Sequence, residues 1–202
     1  MAGYYLQETV LKTAPTAKPV DWGTTVKDHL RLPRDYIDED IILERITDAA
    51  IDHVEQYLGR KLITQTWYAY YDDWPNCDHI ILPFGNLQSV TAIKYTDTAG
   101  SESTWSSSEY HVETESQKGK VVVAYGYTWP NEALKTSKPI EIEFVCGYGA
   151  ASTSVPGPII QAILLTVSDF YENREPFVVG MNYMPLQTVE NLLASYRLDV
   201  IV

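Results

Sequence analysis

Only two cysteines, Cys77 and Cys146, occur in 202 residues, and they stand far apart in the chain. Alone they build neither a disulfide framework nor a zinc site of CxxC type, which leaves two buried reduced thiols as the plain reading. Basic residues are scarce as well: 15 Lys and Arg face 27 Asp and Glu, a formal charge of -12. A surface of that sign repels a phosphate backbone or an anionic membrane, so tight nucleic-acid binding is disfavoured. No stretch reaches the roughly 18 apolar residues that a membrane helix requires. The opening MAGYYLQETVLKTAPTAKP lacks the charged and apolar regions of a secretory signal, so the expected compartment is the cytoplasm where the chain is made. Signatures of catalysis are also missing: no Gly-rich phosphate loop, HExxH, GxSxG, EF-hand or CxxC pattern occurs. His29, His53, His79 and His111 fall in four different predicted elements with no triad-like partner nearby. No catalysis, cofactor or metal is expected.

What is present suits a globular protein. A chain of this length buries roughly 70% of the surface it exposes when unfolded, and its 45% hydrophobic content supplies a core. Tyr, at 15 residues, and Trp, at 5, are generous, a bias that fits strands and interfaces alike.

Hydrophobic periodicity divides the chain into blocks. Residues 1–23, with Pro15 and Pro19 and no helical period, read as an N-terminal arm whose apolar stretch from Tyr4 to Leu11 could add to a sheet edge. Thr25 with Asp28 three residues on resembles a capping box, opening a short helix near 25–31 that Pro33 stops. The clearest helix spans 38–58. Asp38, Glu39 and Asp40 complement its dipole and Gly59 is placed to end it. Its expected core stripe is Ile42, Ile46, Ala49, Ala50, Val54, Tyr57 and Leu58, opposite Glu44, Arg45, Asp48, Asp52 and Glu55.

From Thr64 to Tyr148 the period falls to two, most plainly in Ile140-Glu141-Ile142-Glu143-Phe144. Asp97 to Gly100 and Ser101 to Ser108 read as turns and exposed loops. The helical period returns after Pro156-Gly157-Pro158 for a helix over 158–174, whose stripe is Ile159, Ile160, Ile163, Leu164, Val167, Phe170 and Tyr171. A loop through Phe177 to Met184 leads to a last helix near 186–197 and the apolar tail Val200-Ile201-Val202. The fold class is therefore α+β. The helical body is 24–63 with 156–202, and an antiparallel β module, 64–150, is inserted in it.

Three acidic clusters have plain alternatives to a metal site. Asp38-Glu39-Asp40 suits a helix N-terminus, Asp72-Asp73 a strand-ending turn, and Glu141 with Glu143 a solvated strand face or the wall of a channel.

The runs PVDWGTTVKDHLRLP, DEDIILERITDAAIDHVEQYLGRKLITQTWYAYYDDWP, ILPFGNLQSVTAIKYTDTAG, FVCGYGAASTSVPGPIIQAILLTVSDFYENRE and LLASYR, in this order from Pro19 to Arg197, resemble the phage head-tail connector family, also called head-completion or adaptor proteins. The motifs that carry the likeness are GRKLITQTW, the Leu-Pro followed by Ser-Val and Ile-x-Tyr-x-Asp, the Gly-Tyr-Gly before a Pro-led helix, and Tyr171-Glu172-Asn173-Arg174-Glu175. The resemblance implies a non-catalytic subunit of a ring, typically twelve-fold, beneath the portal of a filled capsid. There it would complete the head and offer a platform to a stopper or tail-completion protein. An acidic ring wall would let DNA pass without specific binding.

On this reading the candidate contacts to a neighbouring subunit or to portal are Glu44, Asp48, Asp52 and Glu55 on the long helix, with Leu192, Tyr196, Ile201 and Val202 near the C-terminus. Three aliphatic side chains at a chain end call for a covering surface, either a partner or the subunit's own core. Two other readings remain. A monomeric acidic module could bind a peptide or small ligand at exposed Tyr68, Tyr70, Trp105 and Trp129, and a metal-dependent hydrolase could use Asp72 and Asp73.

Overall fold

A computed structural model describes residues 6–173 and 187–198. It is a mixed α+β structure whose two sheets are antiparallel. Two compact units compose it, one of residues 1–16 and 64–148, the other of 17–63 and 149–202.

Among the described residues the first unit holds all the strands. Its five-stranded sheet runs in the order β1 (Leu6–Thr13), β2 (Gln65–Tyr71), β8 (Ile140–Cys146), β4 (Leu87–Thr96), β5 (Glu102–Thr104). A three-stranded sheet orders β3 (His79–Gly85), β7 (Lys118–Val123), β6 (Tyr110–Glu113). The period-two pattern of β8 sends Ile140, Ile142, Phe144 and Cys146 inward, all fully buried, and turns Glu141 and Glu143 out. From the facing sheet Ile80, Leu82, Tyr110 and Val121 meet this wall to close one core. A β-carbon on Gly119 of β7 would lie 2.3 Å from the Leu87 side chain, so no larger residue fits there.

The Leu82-Pro83-Phe84-Gly85 run ends β3, and Asn86 joins it to β4. Phe84 (φ 62°) and Asn86 (φ 57°) both adopt left-handed backbone, an uncommon conformation for a bulky side chain. The Phe84 ring is held by Trp67 and Phe144, with centroids 4.9 and 6.4 Å away. β1 lies at the sheet edge with almost every side chain exposed, so backbone pairing to β2 and ion pairs at Glu8 and Lys12 hold it. The Ser-rich stretch is not all loop, because Glu102–Thr104 forms β5 against β4.

In the second unit α2 (Asp40–Leu58) packs on α3 (Gly157–Glu172), and α3 on α4 (Gln187–Leu193). Gly59, at φ 65°, ends α2 in the left-handed conformation the sequence implied. The buried stripe of α2 differs from expectation by about one residue: Leu43, Thr47, Ala50, Ile51, Val54 and Leu58. Ile42 and Ala49 are exposed, and Ile46 and Tyr57 half-buried. Thr47 hides in this apolar face by donating its hydroxyl to the Leu43 carbonyl at 2.6 Å.

The expected helix at 25–31 is a π-helical turn, Trp22–Val26, running into the single turn α1 (Lys27–His29). Its N-cap is Asp21, which accepts from the Thr24 backbone N–H (2.8 Å) and hydroxyl (2.6 Å), and not Thr25. At its end sits a buried lysine. Lys27 Nζ lies 2.6 Å from Asp40 Oδ1 and donates to the Tyr36 carbonyl (2.7 Å), tying the turn to the start of α2. Lys27→Met removes the ammonium that faces Asp40 and the Tyr36 carbonyl, and chemical denaturation should show a loss of about 2 kcal/mol.

Of the two cysteines, Cys146 is buried and Cys77 exposed, which corrects the expectation of two core thiols. Among the described residues no helix is long and apolar enough to cross a membrane.

Candidate functional site

In the second unit the residues proposed for contact lie along and beyond α2. Glu44 and Asp48 are joined to the preceding segment by Lys18, whose Nζ is 2.6 Å from Asp48 and 3.4 Å from Glu44. The Asp48 hydrogen bond, the main cause, raises the Lys18 pKa. Asp52 is exposed. Glu55 is turned inward: it pairs with Lys61 Nζ at 2.8 Å and accepts from the Leu62 backbone N–H at 2.9 Å, closing the turn after α2.

At the start of α2 the helix-terminal carboxylates are also engaged. Glu39 accepts from the Tyr171 hydroxyl at 2.6 Å and Asp40 meets Lys27. Beside them, Ile37, Ile41 and Ile42 are 71%, 68% and 39% exposed. Helix phase exposes the last two, which lie in the first turn of α2. Three consecutive apolar residues, Ile41-Ile42-Leu43, cannot all enter one stripe, and the core takes Leu43.

The C-terminal segment reaches its own unit as far as Leu198. Val189, Leu193 and Leu198 are buried, the Leu198 N–H donates to the Leu58 carbonyl at 2.9 Å, and Arg60 Nε donates to the Tyr196 carbonyl at 2.6 Å. Leu192 and Tyr196 are half-buried. Ile201 and Val202, with the loop from Phe177 to Met184, lie outside the described residues.

In the first unit the outer face of the five-stranded sheet is a ladder of polar pairs. Tyr70 donates to Glu141 at 3.0 Å, Lys12 Nζ is 2.6 Å from Glu143, Lys138 pairs with Glu8, and Lys94 with Glu102 at 2.7 Å. Burial first, and the Glu141 carboxylate second, push the Tyr70 phenol up to about 12. Glu141 and Glu143 are thus partnered and half-buried, not solvated as expected.

One end of this unit is aromatic. Trp74 and Trp129 stack at 5.1 Å, Trp105 lies 5.7 and 5.1 Å from them, and Tyr95 and Tyr110 flank the group. Trp105 Nε1 donates to Glu109 (2.7 Å) and Trp129 Nε1 to the Cys77 carbonyl (2.7 Å). The supposed ligand site of Tyr68, Tyr70, Trp105 and Trp129 does not form. The tyrosines belong to the sheet's outer face, and Trp105 is only 4% exposed. Asp72 and Asp73 serve turns, accepting from the Lys138 and Trp74 backbone N–H groups. Among the described residues no three His, Cys, Asp or Glu side chains come together as a metal site.

Comparison with known proteins interprets this molecule. Residues 24–127, about half the chain, match the family described as phage gp6-like head-tail connector protein. No curated protein matches. The fold is similar to a chain in the neck of an empty gene transfer agent particle computed with C6 symmetry, at 25% identity and TM-score 0.81, covering 97% of this chain and 98% of that one. It is also similar to a chain of the native gene transfer agent virion, at 26% identity and TM-score 0.79 over the same shares. A chain of the native neck computed with C12 symmetry shares the fold at 23% identity and TM-score 0.73. The chain belongs to the phage gp6-like head-tail connector family. It is a structural connector subunit of a phage-like virion, as the resemblance implied.

Proposed function

We propose that this subunit forms a homo-oligomeric ring, twelve-fold in the virion, beneath the portal protein, and presents the next surface to a stopper or tail-completion protein. The observation that carries the proposal is the likeness along almost the whole chain to chains in gene transfer agent necks computed with C6 and C12 symmetry. Its working place is the head-tail interface, reached after synthesis and assembly in the host cytoplasm. The role is one of assembly, without catalysis, cofactor or metal. The helical unit acts as the body of the ring, with the β module inserted in it.

Charge supports a passive channel. A subunit of -12 repels the duplex, so DNA passes through a ring of such copies without specific binding. The same charge opposes self-association, and an apolar contact must offset it. Ile37, Ile41 and Ile42 supply such a surface, with Glu44, Asp48 and Asp52 as its polar rim. Leu192 in α4 and Tyr196 in the turn after it, both half-buried, belong to the candidate portal contact together with Ile201 and Val202.

Deleting the gene from its phage or prophage tests the role. DNA-filled heads and finished tails should accumulate unjoined, and complementation in trans should restore joined particles. Normal joining without the protein would overturn the proposal.

A further inference from the structure

Two open clefts flank the Pro130-Asn131-Glu132 ridge at the aromatic end of the β unit. One, of about 510 Å³, is lined by Asp72, Asp73 and Trp74. The other, of about 460 Å³, is walled by Tyr95, Trp105, Tyr127 and Trp129, with Glu109 and Glu132 at its polar positions. This second cleft holds two carboxylates and has no Lys, Arg or His in its lining. Glu132 is exposed and lies 3.5 Å from the Tyr95 hydroxyl, and Glu109 accepts from Trp105 Nε1 with one oxygen. Each carboxylate therefore retains acceptor capacity. Burial first, and the Glu132 carboxylate second, raise the Tyr95 pKa. At the rim Tyr127 is 51% exposed, and Tyr125 is wholly exposed, on a turn where Gly126 takes φ 85°.

We propose that this cleft receives an arginine side chain presented by a different protein of the neck. A planar guanidinium can stack on the exposed Tyr127 ring while its N–H groups reach the Glu109 and Glu132 carboxylates, a match that neither a neutral side chain nor the compact ammonium of lysine reproduces. Aromatic side chains already held in place lose little entropy on binding, and exposed tyrosines at the rim are the residue type that dominates protein contacts. The identity of the partner as a neck protein rests on the connector reading. The chemistry of the cleft does not.

The test uses the full-length subunit labelled with ¹⁵N, whose five Trp indole N–H groups can be followed separately. Titration with acetyl-arginine amide should shift the Trp105 and Trp129 signals, with saturation in the millimolar range, and leave Trp22 and Trp67 in place. Acetyl-citrulline amide, which has the same shape and no charge, should shift none of them, and Glu132→Gln should weaken the arginine response roughly tenfold with the rest of the spectrum unchanged. A citrulline response equal to that of arginine, an equal shift of all five indoles, or no shift would overturn the cleft. Self-association of the wild type that Glu132→Gln abolishes would overturn the choice of partner by assigning the occupant to a second copy. None of these outcomes depends on virion assembly, so they are separable from the gene-deletion result.

Discussion

The Ile163→Ala subunit is expected to unfold about 4 kcal/mol more easily than the wild type in urea. Ile163 is 0% exposed on α3, in a buried stripe with Ile159, Ala162, Leu164 and Val167 that packs against α2. Truncation removes three carbons from water-excluded space and leaves a cavity that two packed helices cannot close, so the loss lies in the upper part of the roughly 2 to 5 kcal/mol range for such changes. Against a total stability of about 5 to 15 kcal/mol the effect is large. Ile160→Ala is the control: on the same helix but half-buried, it should cost less than half as much. Equal losses at both positions would mean that the packed face of α3 is misassigned.

The double substitution Ile37→Asp with Ile41→Asp should behave in the opposite way, leaving the isolated subunit as stable as the wild type and lowering the yield of joined particles roughly tenfold or more. Both side chains are more than two-thirds exposed, so neither contributes to the subunit's own core. In a ring contact, a carboxylate at each position would be desolvated without a partner and would add to the repulsion between copies that are already acidic. Melting temperature and particle yield check the two halves of this expectation. Reversing Asp48 alone is less informative, because it also breaks the Lys18 pair within the subunit.

The contrast between these two sets of isoleucines shows how far the sequence can be read. The position of α2, its end at Gly59 and its amphipathic character follow from spacing and from the backbone freedom of glycine. Its phase did not follow, because Ile41-Ile42-Leu43 is apolar throughout and a buried threonine interrupts the stripe. The inward residues of β8 were legible since alternation there is strict. β5 was not, because its three residues are all exposed, with no apolar alternation to mark a strand. Asp21 was missed as a cap since the turn it opens is π-helical, outside the spacing of an ordinary capping box.

The aromatic end was beyond sequence reading for a different reason. Trp74, Trp105 and Trp129 come from three separate connections, and no local spacing signals that sheet pairing brings their rings within 6 Å of one another. Composition announced a surplus of aromatics, and only the fold separates Trp105, which is core, from Tyr125 and Tyr127, which are surface. The C-terminal helix divides in the same way. Leu193 enters the unit's own core while Leu192 and Tyr196 stay half-buried, so the segment through Leu198 does not need a partner to find its place. Hydrogen exchange should therefore show protection of Leu193 and Leu198 in the isolated subunit.

The central claim is assembly as a ring at the neck, and an electron cryo-microscopy reconstruction of purified particles, calculated around the neck without imposed symmetry, tests it most directly. The account predicts a closed ring of this chain under the portal, twelve copies in number, with Ile37 and Ile41 covered by the adjacent copy. Density for this chain as a single copy, or its absence from necks that are joined and filled, would contradict it.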